Sequence, residues 1–223
     1  MLRAMADVSA AARMERLVAE IRDCQRCELW RTRTKSVPGD GPIDAEVLFI
    51  GEAPGVNEDQ QGRPFVGAAG NFLSELLGAA RLRREDVFIC NVLKSRPPGN
   101  RDPLPDEIAA CKPWLDEQIA IIQPLVIVTL GRFSMSRYFP RQSISRIHGH
   151  AERVGDRYVV PMYHPAAALH QQSLRETIMD DFRALPSLIA RAREEQAARR
   201  QAELEAAAPD APTPAAEQIR LFD

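Results

Sequence analysis

The residues best suited to chemistry fall into two groups. One is a set of thiols: Cys24-Gln25-Arg26-Cys27, then Cys90, then Cys111. Nothing marks the chain for secretion, so metal or redox chemistry is a better reading of these cysteines than disulfides. The Cys-x-x-Cys pair follows a helical stretch and does not lie between a strand and a helix, which argues against a thioredoxin-type site. By spacing alone, two unrelated thiols explain it equally well. The second group is a series of glycine-rich and polar segments at residues 51–55, 62–70, 91–101 and 164–165. Glycines there let backbone approach a ligand closely, and residues 67–71 open a helix whose N–H groups suit a phosphate. No Gly-Lys-Ser/Thr follows, so this is not a nucleotide P-loop. Phe65 is either a flat surface for a base or a core aromatic. The carboxamide of Asn91 offers one donor and one acceptor, matching a nucleobase edge, or it simply forms a turn. Lys94, Arg96 and Arg101 make a basic patch suited to phosphates or a solvated face. His164 is a general acid, a hydrogen-bond donor or a structural imidazole.

These groups need a frame, and the apolar pattern supplies one. Met14, Leu17, Val18 and Ile21 recur at helical spacing, which predicts a helix over residues 1–23 delivering Cys24 to its end. Continuous apolar runs predict buried strands at 47–50, 87–93, 125–129 and 158–162, with helices at 71–80 and 106–122 between them. Strands alternating with helices imply βαβ units and a mostly parallel sheet. Ligands of such sheets bind at the carboxyl ends of the strands. Every unusual polar cluster named above falls at one of those ends.

The 223 residues are enough for one core burying about 70% of the unfolded surface. A formal charge of −2 excludes a strongly basic nucleic-acid coat while permitting a local patch. No apolar run reaches membrane-span length, and the start lacks an apolar stretch leading to a cleavage site, so a cytoplasmic protein is expected. From residue 190 the composition turns to Ala, Arg, Glu and Gln and then to Ala and Pro. A folded domain over 1–190 and a helical extension with a flexible linker over 191–223 are therefore expected.

Five blocks in order and spacing carry a resemblance. GEAPG with Glu58-Asp59, GRPFVGAAG, CNVLK followed by RPPGNR, the Cys111 segment and HPAAAL resemble the family-4 uracil-DNA glycosylases, the iron–sulfur branch of their superfamily, over about residues 24–186. The resemblance implies a three-layer α/β/α fold around a central four-stranded, mostly parallel sheet. It implies excision of uracil from DNA, leaving an abasic site. The flipped base would stack on Phe65, be read by Asn91 at N3–H and O4, and receive a hydrogen bond from His164 at O2, with Gly51, Ala53 and Asn100 completing the binding edge. Glu52, Asn91 and His164 form the expected catalytic set. Relatives elsewhere in the superfamily place a water-orienting Asp where this chain has Ala53, and Glu52 sits at the neighbouring position, more a backbone contact than a base. Leaving-group stabilisation is then expected to carry most of the rate.

The family's [4Fe–4S] cluster would be held by Cys24, Cys27, position 95 and Cys111. Here position 95 is Ser95, sixteen residues before Cys111, a harder and more basic ligand than a thiolate. Three cysteines with Ser95 or an outside ligand are the expectation. Strand alternation points Cys90 to the face opposite Asn91, away from the loop carrying Ser95. The closing Gln218-Ile219-Arg220-Leu221-Phe222 resembles the Gln-x-x-Leu-Phe peptide by which bacterial repair proteins bind the sliding clamp. Expected partners are thus uracil-containing DNA and a sliding clamp, with no membrane, for a monomer. Two rivals stand: a non-catalytic module for uracil or damaged DNA, and a zinc-bound DNA-binding protein.

Overall fold

A computed structural model describes residues 9–207. Its strands are β1 (Val47–Gly51), β2 (Phe88–Asn91), β3 (Val126–Leu130), β4 (Glu152–Val154) and β5 (Arg157–Met162). Its helices are α1 (Ala10–Asp23), α2 (Val56–Gln61), α3 (Ala68–Ala79), α4 (Pro105–Ile122), α5 (Arg132–Ser136), α6 (Ile144–Ile147), α7 (Pro165–His170), α8 (Leu174–Arg183) and α9 (Leu185–Ala207). The sheet runs β2-β1-β3-β5-β4. The first four strands are parallel, and β4 pairs antiparallel with β5.

The sheet therefore has five strands where four are expected. The four parallel ones are those read from the apolar runs. The fifth, Glu-Arg-Val, is exposed along its whole length, so it carries no hydrophobic signature to read. A hairpin turn through Gly155, with φ of 61°, folds it back onto β5.

Alternation along the buried strands fills two separate layers. Val47 and Phe49 join Leu73, Leu76, Ile178 and Phe182 on one face. Leu48 and Ile50 join Ile21, Cys111, Trp114 and Leu115 on the other. All five residues of β1 and of β3 are buried, as a sheet covered on both sides requires. On β2, Ile89 enters the first layer, whereas Phe88 and Cys90 enter the second. This three-layer α/β/α arrangement brings the strand ends Gly51, Asn91 and Met162 to one edge, Gly51 directly opposite Asn91. No helix among the described residues is long and apolar enough to cross a membrane. The clamp-like peptide at residues 218–222 and the Ala/Pro stretch before it lie outside the described residues.

Candidate active site

A cavity of about 630 Å3 opens at the edge where β1, β2 and β5 end. Phe65, Asn91 and His164, which arrive from three distant segments, all line it, together with Glu52, Ala53 and Asn100. The Phe65 and His164 rings lie 5.5 Å apart at 29° to one another. Gly51 makes the room: a Cβ there would stand 2.3 Å from Asn91 Oδ1 and 2.7 Å from the Phe65 ring. Among the described residues, three buried side-chain polar atoms lack a hydrogen-bond partner, namely Asn91 Oδ1, Thr129 Oγ1 and Arg137 Nε. Of these, Asn91 alone belongs to the cavity wall. A buried carbonyl oxygen left bare costs about 1–3 kcal/mol, so such an atom in a cavity marks a place for a donor from outside.

The Phe65 ring is held by its backbone. Phe65 has φ of 51°, the left-handed region that a bulky residue seldom adopts. Two devices fix it there. Arg84 donates to the carbonyls of Pro64 and Phe65, at 2.5 and 3.0 Å. Gly70 lets the turn pack down, since a Cβ at 70 would sit 2.0 Å from the Phe65 carbonyl oxygen. Next along the chain, Glu58 gathers both cavity loops: its Oε1 accepts from Val66 N–H and Gly67 N–H, each at 2.9 Å, and its Oε2 from Gly55 N–H at 3.1 Å. Of the amides leading into α3, those of Val66 and Gly67 are therefore already engaged by a carboxylate, while Gly67, Ala68 and Ala69 line the cavity. Glu58 was legible as a cap, three residues after Gly55, but its reach to the Phe65 loop is tertiary.

His164 caps α7 and its Nδ1 accepts the Ala166 N–H at 3.1 Å. In the neutral ring this leaves the proton on Nε2. Burial lowers its pKa from the usual 6.5 to about 4, with Glu58 pulling weakly the other way, so the imidazole is neutral near pH 7. Burial, and then Asp102, raises the Glu52 carboxyl above its usual range, while Arg132 opposes the rise. Asn100 has its Oδ1 held by Arg96 Nε at 2.7 Å. Of the three cations expected as a basic patch or a solvated face, one is withdrawn from the surface and one is ion-paired. Lys94 is 2% exposed and donates to the Asn91 carbonyl at 2.8 Å and to Gln118 Oε1 at 2.7 Å. Arg101 is spent on Glu107, at 2.6 and 2.9 Å.

The thiols meet on the other layer of the sheet. Cys24 is the C-cap of α1, as the helical pattern requires, and accepts from Trp114 Nε1 at 3.3 Å. Cys111 is buried in this layer, and Cys27 packs against it. The neighbouring Cys111 lowers the Cys27 thiol to about 6, while Cys27 and burial push Cys111 up. Ser95 is buried and its Oγ accepts from Arg33 at 3.1 Å. Among the described residues no group of three or more His, Cys, Asp or Glu is set to hold a metal ion. Cys24, Cys27 and Cys111 share this layer, and one of them, Cys24, carries an N–H donor, as sulfur ligands do; position 95, a hydroxyl already engaged by a guanidinium, departs from the set an iron–sulfur group takes. Cys90 faces away from the Asn91 side, as expected, yet not away from the other thiols: it shares their layer, with the Lys94 ammonium close to both Cys90 and Cys111.

Comparison with known proteins agrees with this geometry. The family model described as the uracil DNA glycosylase superfamily matches residues 38–184. A type-4 uracil-DNA glycosylase of Sulfurisphaera tokodaii is 47% identical over 188 residues, 78% of this chain and 84% of that protein. Its counterpart in Archaeoglobus fulgidus is 47% identical over 78% of this chain and 92% of that protein. The one in Thermotoga maritima is 43% identical over 79% and 94%. With sequence blocks, fold and relatives in accord, the chain belongs to the uracil-DNA glycosylase superfamily, in its type-4 branch.

Proposed function

We propose that this protein excises uracil from DNA, flipping the nucleotide into the cavity and hydrolysing its N-glycosidic bond. The observation that carries the reading is the unpartnered Asn91 Oδ1 in the cavity that Phe65 and His164 share. Phe65 stacks on the extruded ring. Asn91 Oδ1 accepts N3–H while its amide donates to O4. Cytosine presents an amine at position 4 and no hydrogen on N3, so two donors and two acceptors would face each other unpaired, which rejects it. Neutral His164 donates from Nε2 to O2, where negative charge grows as the glycosidic bond breaks. Gly51 and Ala53 give the base its backbone wall, and Asn100, fixed by Arg96, offers its amide hydrogens to the nucleotide. The uracil anion leaves, and water adds to the sugar cation.

Glu52 is a cavity wall residue beside Ala53, the position that orients the water elsewhere in the superfamily, and its role is that of a contact and not of the base. Glu52→Ala therefore loses less activity than His164→Ala; equal losses would overturn this division of labour. Cys24, Cys27 and Cys111, with Ser95 or an outside ligand, would hold a [4Fe–4S] cluster. That group would act as a cross-link between the segment after α1, the loop after β2 and α4. The remaining parts of the reading are a cytoplasmic monomer with a domain over 1–190, and a tail whose residues 218–222 bind a sliding clamp. Deleting 217–223 should abolish clamp capture and spare excision.

The test is direct. A uracil-containing oligonucleotide incubated with the protein and then treated with alkali should break at the uracil. An intact strand, with binding preserved, would make the protein a non-catalytic uracil-binding module.

A further inference from the structure

The cavity that would receive the base is a poor place to attract DNA. Its walls carry Glu52, Glu58 and Asp102 against one guanidinium, Arg101, and Arg101 is tied to Glu107. The whole chain has a formal charge of −2. Binding a polyanion nevertheless requires cations placed against its phosphates. Those cations must be concentrated somewhere outside the cavity.

A second hollow, of about 550 Å3, fits that need. It lies between the end of α1, the segment after Cys27 and the far end of α2, and it is lined by Arg22, Arg33, Lys35, Trp30, Gln61 and Gly62 among others. Three cations face it and no carboxylate does. Arg33 is fixed in place, its guanidinium donating to the Arg22 carbonyl at 2.7 Å and to Ser95 Oγ at 3.1 Å. Arg22 and Lys35 are exposed, which leaves their charges to face a ligand. The half-buried Trp30 adds an apolar wall of the kind a deoxyribose packs against. The geometry ties this hollow to the cavity, because α2 contributes Asn57 and Glu58 to one and Gln61 to the other. A six-residue helix is about 9 Å long, so one strand of DNA can touch both.

We infer that the Arg22–Arg33–Lys35 hollow is a phosphate-backbone site, holding the DNA strand beside the flipped nucleotide. The inference rests on the proposed function only in taking DNA as the ligand. Its test is the salt dependence of binding to a uracil-free duplex by the full chain, which excision does not enter. Arg22→Ala/Lys35→Ala removes two charges and leaves Arg33 on Ser95. Each phosphate contact contributes about 0.9 to the slope of log K against log salt, so the double variant's slope should be about 1.8 shallower. The affinity advantage of the unaltered protein should then shrink about tenfold between 50 and 200 mM salt. Excision at saturating substrate should be unchanged. The control is Arg81→Ala/Arg193→Ala, which removes two charges beside the start of β1, at the opposite end of the sheet; its slope should stay as it was. An unchanged slope in the first variant, or an equal loss in the control, would overturn the inference. If the unaltered protein bound duplex with the expected slopes but left uracil in place, the proposed chemistry would fall and this site would stand.

Discussion

Cys90 and Asn91 are neighbours on β2, yet their side chains enter opposite layers of the sheet with opposite construction. The Asn91 side is built around a cavity whose groups are held by backbone hydrogen bonds: Glu58 on three amides, Arg84 on two carbonyls, Ala166 N–H on the His164 ring. The Cys90 side gathers thiols from the end of α1, from β2 and from α4 into a packed apolar layer with Leu48, Ile50, Trp114 and Leu115. The lesson is that a substitution on the two sides should register differently. On the cavity side it should cost rate. On the thiol side, where a serine already stands at position 95, it should cost endurance. Lys94 is the one evident bridge, buried among the thiols while its ammonium holds the Asn91 carbonyl.

Breaking the comparison is easiest at its strongest point. His164→Ala should lower the excision rate about 10²–10³-fold, the usual cost of one donor at a developing anion, with little change in melting temperature. A collapse in melting temperature would erase the distinction. Acid should act on the same residue through stability. Its native pKa of about 4 lies below the unfolded 6.5, so the folded state binds the fewer protons as the pH falls. Stability should be complete above pH 6.5, decline between 6.5 and 4, and level off below 4, by up to about 3 kcal/mol. Urea unfolding at several pH values, with His164→Gln as the reference, measures it.

The next effect sharpens the cavity side. Glu58→Ala should lower the excision rate about 10–100-fold by releasing the Phe65 loop, and Glu58→Gln, which keeps an acceptor oxygen, should restore part of it. A purely structural role would give both variants the same rate per folded molecule. The smallest effect belongs to the thiol side. Ser95→Cys should raise the melting temperature by about 2–4 °C, equivalent to about 1 kcal/mol, and leave the excision rate within about twofold. A large gain in rate would mean that the two layers are not independent.

Much of this was legible beforehand, for physical reasons. Residues buried on both faces of a parallel sheet must be apolar throughout, which exposes β1, β3 and β5 in the sequence and with them the edge where Asn91 and His164 stand. The α1 pattern likewise places Cys24. What could not be read depends on contacts distant in the chain. Nothing local says that Lys94 is buried, because its partner Gln118 lies 24 residues away. Nor does any pattern announce β4, whose side chains touch solvent. Glu58 reads as an ordinary helix-capping acid until the loop at 66–67 folds onto it.

Trp114 has a further use. Its indole nitrogen rests on Cys24, its ring lies 3.8 Å from the Arg26 guanidinium, and the chain's only other tryptophan, Trp30, lines the basic hollow nearby. Both indoles thus sit on one flank of the molecule. Ultraviolet emission from the unlabelled protein should therefore report on the surroundings of Cys24 and of that hollow, since neither indole lines the cavity.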